Sequence, residues 1–302
     1  MPAPIIAAYN PFLKDHAPVE LALAAAELTG ADVIVASVPR TPYGGGWADL
    51  HAFDDETIEP ELTRLRDQLG VQTRIITDAS VPRALHTLAR DEAASLIVVG
   101  STARGHAGRV LPGSTAERLL HGSPCAVALA PRGYVRTPVE TVAVGFVDSA
   151  EGHAALAVAH MLAGRANAKL RVIAALHPSS ALDAATADST PPPRGLALEG
   201  RHRASVEATL NAALNALPAG VEVEPEIHVD DPADVLLRVS AHVGLLVCGS
   251  RGYGPLRSVL LGGVSRRLVD AAQCPVLVLP REAGRPLQDL INEAPDATRV
   301  AV

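Results

Sequence analysis

The 302-residue sequence contains few aromatic and sulfur-containing residues: 3% Phe, Trp and Tyr, three cysteines and two methionines. So few rings leave little surface for stacking bases, and a net charge of −7 provides no broad positive field for a phosphate backbone. We therefore expect no nucleic acid partner. The cysteines form no C-x-x-C pair, which is typical of buried, reduced thiols and not of disulfides or a zinc site.

Long hydrophobic runs and catalytic spacings are also missing. No apolar stretch approaches the roughly 18 residues that a membrane-spanning helix needs, so we expect no membrane partner. The first residues lack a basic segment ahead of an apolar one, and we predict a cytoplasmic protein without a secretory leader. The eleven histidines show no H-x-x-x-H spacing and no serine lies in G-x-S-x-G, so we assign no metal ligand and no catalytic residue.

The chain is a tandem duplication. Residues 96–105 match residues 245–254 at an offset of 149 positions, and the same offset carries Pro131-Arg132 onto Pro280-Arg281. Each half alternates short apolar runs with helical patterns, which predicts a parallel sheet covered by helices on both faces. We therefore predict an α/β fold with two tandem doubly wound domains of five strands each. The predicted limits are 1–133 and 138–281, followed by a C-terminal tail at 282–302.

The predicted elements follow this alternation in both halves. Strands are expected at 5–8, 33–38, 73–76, 96–99 and 126–130, and again at 142–146, 170–176, 221–229, 245–248 and 276–279. Helices are expected at 19–28, 60–69, 80–93 and 115–120, and again at 151–163, 203–217, 232–242 and 264–271. Two segments, 39–54 and 177–200, interrupt the order and are predicted to be loops.

A glycine-rich segment joins the fourth strand of the second half to its last helix. It reads Gly249-Ser250-Arg251-Gly252-Tyr253-Gly254, and seven residues later Gly262-Gly263-Val264-Ser265. Strands of such sheets end at the ligand crevice, where glycines allow positive φ and expose N–H groups to a phosphate. The next helix adds unpaired N–H donors, while Ser265 and Arg251 offer a hydroxyl and a cation. A tight turn without a ligand is the alternative, and the residues alone leave both interpretations open.

Two other phosphate-binding loops do not fit. No Gly-Lys pair occurs in the chain, as a P-loop requires, and nothing after the first strand matches G-x-G-x-x-G. The first half carries its own copy of the glycine segment, with candidate positions at Gly100, Ser101, Gly105, Gly113, Ser114 and Thr115. Both halves are therefore candidate anion sites.

The repeated pattern G-S-R-G-x-G, L-L-G-[SG]-V-S and C-P-V-L-V resembles the universal stress protein domain, most closely in residues 245–280 and well in 96–131. The resemblance implies a strand order of 3-2-1-4-5 in each half. It also implies that the two last strands pair, which would make the chain an intramolecular pseudo-dimer. Many members of that family bind ATP through G-x2-G-x9-G-[ST], so the resemblance implies a stress-response or regulatory protein that binds an adenine nucleotide, with magnesium, without evident catalysis.

Neither half matches that motif in full. In the second half Gly263 replaces the final Ser or Thr, and in the first half Ala103 replaces the second glycine. ATP-binding members usually carry Asp at the end of the first strand, where this sequence has Tyr9 in the first half and Val147 in the second. The resemblance therefore favours a nucleotide site in the second half, at Asp148, Gly249, Ser250, Arg251, Gly252, Gly254, Gly262, Gly263, Val264 and Ser265.

The partners follow from these interpretations. We expect an adenine nucleotide and an unidentified protein partner, and a homodimer of tandem chains is a candidate assembly. The alternative function is a nucleotide-independent interaction scaffold with degenerate pockets, which the incomplete first-strand turns favour. A weak adenine-nucleotide hydrolase on the same architecture is a third hypothesis.

Overall fold

The computed structural model of the chain describes residues 2–39, 55–101, 107–120, 122–176, 195–250 and 263–279. The chain forms two compact units, the first extending to Thr137 and the second comprising Pro138–Leu279. The predicted domain limits at residues 133, 138 and 281 stay predictions. The predicted tail at 282–302 lies outside the described residues.

The first unit contains one parallel sheet. Its strands are β1 (Ile5–Ala8), β2 (Val33–Ser37), β3 (Gln72–Ile75), β4 (Leu96–Gly100) and β5 (Ala126–Ala130). Its helices are α1 (Ala17–Thr29), α2 (Asp55–Leu69), α3 (Val81–Asp91) and α4 (Ser114–Leu120), and a 3-10 turn at Pro11–Leu13 follows β1. The strand order is β3-β2-β1-β4-β5, with neighbours parallel.

The second unit repeats this arrangement. Its strands are β6 (Thr141–Gly145), β7 (Lys169–Leu176), β8 (Val223–Val229), β9 (Leu245–Gly249) and β10 (Val276–Leu279). Its helices are α5 (Ala150–Ala166), α6 (Gly195–Asn215), α7 (Pro232–Ser240) and α8 (Gly263–Ala271). The order β8-β7-β6-β9-β10, all parallel, confirms the predicted 3-2-1-4-5 topology in both units. The pairing of the two last strands stays a prediction.

Strand burial follows the position of each strand in its sheet. The inner strands β1, β4, β6 and β9 are apolar and almost entirely buried, whereas β3 and β8 carry polar residues and are largely exposed. On β7 and β8, Arg171 Nε donates to Glu226 at 2.7 Å and Lys169 Nζ contacts Glu224 at 3.3 Å. Charged pairs of side chains therefore link β7 to the edge strand β8.

The strand order fixes where a ligand crevice lies in each unit. After β1 the chain proceeds to β2 and β3 on one side and then returns to β4 on the other side of β1, and β6 and β9 are related in the same way. Helix α1 packs on β1 and β4, and α5 packs on β6 and β9. Open α/β sheets bind ligands at this switch point, outside the carboxyl ends of the strands. The residues that follow β1, β4, β6 and β9 are therefore the candidates for a ligand site in the two units.

Two predicted boundaries are wrong. Helix α2 begins at Asp55 and contains Pro60, although Pro60 was the expected first residue. A proline this near the start of the helix removes one backbone hydrogen bond, because proline has no N–H to donate to the carbonyl four residues earlier. Residues 195–200 begin α6 and are not part of a loop. The rest of that predicted loop, 177–194, and most of the other, 40–54, lie outside the described residues.

The prediction of buried thiols is confirmed. Cys125, Cys248 and Cys274 are free and buried, and burial raises the pKa of the Cys125 thiol to about 11 and those of the other two to about 12. Such thiols are poor nucleophiles because little thiolate exists at neutral pH. Among the described residues, no helix combines the length and hydrophobicity needed to cross a bilayer.

His160 on α5 links stability to pH. The side chain is buried and its Nε2 has no hydrogen-bond partner, and burial lowers its pKa. The folded state therefore favours the neutral ring, so this contribution to stability is present above the ordinary pKa of about 6.5 and is lost as the pH falls below it.

We expect the urea midpoint to fall less between about pH 7.5 and about pH 5.5 in the His160→Phe variant than in the wild type, because Phe fills similar space without a proton to gain. The exposed His242 provides the matched control, and His242→Phe should retain the wild-type pH dependence. Identical pH profiles for His160→Phe and the wild type would contradict this account.

Candidate functional site

The end of the fourth strand in each unit lies against the first turn of a helix. A Cβ on Gly249 would come within 3.2 Å of Glu151 Cβ and 3.3 Å of the Glu151 carbonyl oxygen, and a Cβ on Gly100 would lie 2.9 Å from Pro18 Cγ. Neither glycine has a positive φ, so the expected positive φ is wrong at these two positions, whereas Gly252, Gly254 and Gly262 lie outside the described residues. Both positions favour glycine, because the helix approaches so closely that an added Cβ would force a neighbouring atom to move.

The start of α8 is held against the end of β9. Ser265 Oγ donates a hydrogen bond to the Gly249 carbonyl oxygen at 2.8 Å, and the side chain is buried. Two residues after Ser265, Arg267 Nη1 contacts Asp231 Oδ1 at 2.6 Å, and Nη2 contacts Asp234. The structure thus gives the Ser265 hydroxyl a structural role, because its proton goes to Gly249. Of the polar groups of Ser265, the backbone N–H is the one that stays a candidate for binding a ligand.

The first residue of α8, Gly263, is exposed. Within the part of the chain that the structure describes, a Cβ on Gly263 would meet no atom within 4 Å, and its φ is not positive. The Ser or Thr hydroxyl that the family motif has at this position would therefore fit there without displacing any described neighbour. The N–H groups in the first turn of a helix have no acceptor within the helix, and they point out of its positive end. An anion placed at Gly263 and Val264 would meet both features.

Some of the other candidate positions lie among the described residues and the rest lie outside them. In the first unit, Ser101 is buried, its Oγ donates to Ala130 O at 2.8 Å and accepts from Leu111 N–H at 3.1 Å, so this hydroxyl is satisfied within the fold. In the second unit, the Ser250 backbone N–H donates to Leu279 O at 2.9 Å. Gly113 precedes α4, and Ser114 and Thr115 begin it. Outside the described residues lie Gly105, Arg251, Gly252, Gly254 and Gly262.

Asp148 lies in the short link between β6 and α5. Its Oδ1 is 3.0 Å from His153 Nε2, and its side chain is 64% exposed. The His153 ring packs edge-on against buried Phe146, with 5.3 Å between the ring centroids. Ser149 is the N-cap of α5, and its side chain accepts the Gly152 N–H at 3.1 Å. Asp148 is therefore not needed to cap the helix.

A different cluster occupies the end of β1. Tyr9 is 3% exposed and donates from its hydroxyl to Glu61 Oε1 on α2 at 3.0 Å. Arg64 contacts the same oxygen at 2.6 Å, and the His16 ring lies 5.2 Å from the Tyr9 ring. Burial and the bond to Glu61 raise the pKa of Tyr9, and the hydrogen bond from Arg64 lowers the pKa of Glu61. Tyr9 is thus a neutral donor to an ionised carboxylate.

The strand register corrects one predicted correspondence between the halves. Tyr9 N–H donates to the oxygen of Ala36, and Phe146 N–H donates to the equivalent oxygen of Ile173. Tyr9 is therefore level with Phe146, not with Val147. Eight positions separate Tyr9 from the first residue of α1, whereas four separate Phe146 from the first residue of α5. The extra length forms the 3-10 turn.

Two closely similar sheets, each with a glycine at the end of its fourth strand, agree with the comparison of the chain with known families. The model of the universal stress protein family matches residues 2–131 and again residues 138–280. The chain belongs to the universal stress protein family. The resemblance noted in the sequence, and its tandem form, are thereby confirmed.

Relatives of this universal stress protein match it in both halves. A universal stress protein of Mycolicibacterium smegmatis is 30% identical over 279 residues, which cover 86% of this chain and 89% of the relative. One from Mycobacterium tuberculosis is 28% identical over 281 residues, covering 87% and 89%. The fold is also found in a solved universal stress protein of Archaeoglobus fulgidus, with a TM-score of 0.63, 19% identity and coverage of 92% and 98%.

The structure shows three groups of residues at the two switch points that the sequence analysis missed. These are the aromatic–histidine pairs Tyr9–His16 and Phe146–His153, and the carboxylate Glu61. One signal was available, since the same spacing of seven positions separates ring and histidine in both halves. Glu61 had no such signal, because it reaches Tyr9 across 52 positions of sequence.

The packing of Gly249 predicts the cost of adding a methyl group there. We expect Gly249→Ala to lower the free energy of unfolding by about 1–2 kcal/mol, because the new Cβ would press on the backbone of Glu151. The matched variant Gly263→Ala should change it by no more than about 0.5 kcal/mol, because that site is open. Urea denaturation measures both values, and equal effects would contradict the assigned contact.

Proposed function

We propose that this universal stress protein binds an adenine nucleotide, ATP with magnesium, at the carboxyl end of β9 in its second unit. The nucleotide would act as a regulatory ligand and would not be turned over. One observation carries the proposal: the first turn of α8 is fixed to the end of β9 by Ser265, yet its first residue, Gly263, is exposed and a Cβ there would meet no atom of the described residues within 4 Å.

The phosphate part of the proposal rests on backbone groups. The N–H groups at the start of α8 have no helical acceptor, and the helix dipole adds positive potential there. The bonds of Ser265 to Gly249 and of Arg267 to Asp231 fix the direction of these N–H groups before a ligand arrives. A pre-organised site loses less entropy on binding than one that must order itself. Magnesium would enter with the phosphate oxygens, which are ligands it prefers.

The nucleoside part of the proposal rests on Asp148. Its exposed carboxylate lies two residues before α5, whose first turn contacts Gly249 at the end of β9. A carboxylate beside a phosphate site is the group that accepts hydrogen bonds from ribose hydroxyls in α/β nucleotide-binding folds. The phosphate donors and this acceptor therefore converge on the end of one strand.

A gain of affinity tests the phosphate site. We expect Gly263→Ser to bind ATP about 5- to 10-fold more tightly than the wild type, because the serine adds one hydroxyl donor at an open position. Gly122→Ser is the matched control, since its Cβ also meets no atom within 4 Å and it lies in the first unit, beyond the end of α4. Equilibrium dialysis with ATP and magnesium measures the affinities, and the control should leave them unchanged.

The nucleotide that accompanies the protein gives an independent check. Mass spectrometry of freshly purified and then denatured protein should detect ATP or AMP in stoichiometric amount. If no nucleotide is released and none binds in dialysis, the proposal fails and the nucleotide-independent scaffold remains. Phosphate release well above background with magnesium would instead support the hydrolase hypothesis.

A further inference from the structure

We infer that the two units are functionally unequal, and that the chain binds one nucleotide, in the second unit, because only there is the acidic residue before the first helix available to a ligand. This inference rests on the proposed function. It concerns Asp15 in the first unit and Asp148 in the second.

Asp15 and Asp148 hold equivalent positions. Each lies two residues before the first residue of its helix, Ala17 in α1 and Ala150 in α5. Both helix starts are placed by the same contact, since the second residue of each helix meets the glycine at the end of the fourth strand. The link between the first strand and the helix differs in length between the units, but the aspartate precedes the helix by the same two residues in both.

The N-cap residue decides what each acid does. In the second unit the N-cap is Ser149, whose hydroxyl accepts the Gly152 N–H at 3.1 Å. Serine is among the residues that cap helices best, so the first turn of α5 needs no help from its neighbour. The Asp148 carboxylate stays exposed at the surface, in contact with His153.

In the first unit the N-cap is His16, which makes no side-chain capping bond. Its ring lies against Tyr9, and its Nε2 is 3.9 Å from Glu61 Oε1. Asp15 supplies the missing acceptor: its Oδ1 accepts the Ala17 N–H at 3.0 Å and is approached by the Gly133 N–H at 3.4 Å. Buried N–H donors at the start of a helix are costly to leave unpaired, so Oδ1 of Asp15 is committed to the backbone.

The residues at the end of the first strand add a second difference between the two units. Tyr9 and Phe146 are level in their sheets and both are buried, so ring bulk does not distinguish the units. The Tyr9 hydroxyl, however, bonds to Glu61, and Arg64 holds that carboxylate. The second carboxylate near the switch point of the first unit is thus also paired within the protein. At Asp15 a ribose hydroxyl would compete with two backbone N–H donors for Oδ1, whereas at Asp148 it meets a carboxylate that is 64% exposed and whose Oδ1 contacts the exposed side chain of His153.

Counting bound nucleotide tests the inference on the intact chain. Stripped wild-type protein, titrated with ATP and magnesium in equilibrium dialysis, should bind one ATP per chain. Two ATP per chain would overturn the inequality while leaving the proposed function intact. No bound ATP would overturn the proposed function and this inference with it.

A matched pair of variants assigns the site. We expect Asp148→Ala to weaken ATP binding about 10- to 100-fold, through loss of a charged acceptor, and Asp15→Ala to leave the affinity unchanged while lowering the thermal midpoint, through loss of the acceptor that caps α1. Both variants are first checked for folding by circular dichroism. Loss of binding in Asp15→Ala with retention in Asp148→Ala would overturn the assignment.

Variants of Ser149 test whether its capping bond leaves Asp148 available to ATP, an effect on affinity that a role in stability alone would not produce. If Ser149 frees Asp148 by capping α5, Ser149→Ala should draw the carboxylate toward the helix and weaken ATP binding about 10-fold, and Ser149→Thr, which also caps, should restore it. Equal affinities for the wild type and Ser149→Ala would contradict the role of the cap.

Discussion

The contact between the first turn of a helix and the end of the fourth strand is the constraint on which both units depend. Gly100 meets Pro18 and Gly249 meets Glu151 at distances that a Cβ would not allow without movement. Because that helix also packs on the first strand of its unit, the contact places the start of the helix at the switch point of the sheet. The residues just before the helix, Asp15 and Asp148, are therefore delivered to the crevice.

The difference between the two units arises at the N-cap residue, two residues before that contact. Ser149 caps its helix with its own hydroxyl, whereas His16 packs against Tyr9 and leaves the cap to Asp15. A change in the N-cap residue thus changes the availability of the neighbouring acid without altering the fold. Duplicated chains can diverge in this way, since one copy keeps a ligand group and the other uses the same group to stabilise itself.

Much of the architecture could be predicted from the sequence. Alternating apolar runs and turn residues are local signals, and they indicated ten strands, with their order supplied by family resemblance. The equivalence of the Tyr9 and Phe146 positions in their sheets could not be predicted by aligning the turns. The reason is that the link after β1 is four residues longer than the link after β6. The hydrogen bonds of Ser265 and Glu61 were also hidden, since each connects elements that are distant in sequence.

The central claim is that a nucleotide is bound by backbone N–H groups at the start of α8, and not at the corresponding place in the first unit. Backbone amide NMR of the full chain during titration with ATP and magnesium tests this most directly. The account predicts shifts at Gly249, Gly263 and Val264, with the amides of Gly100 and Thr115 unmoved. Shifts at Gly100 and Thr115, or unmoved amides at Gly263 and Val264 with ATP bound, would contradict it.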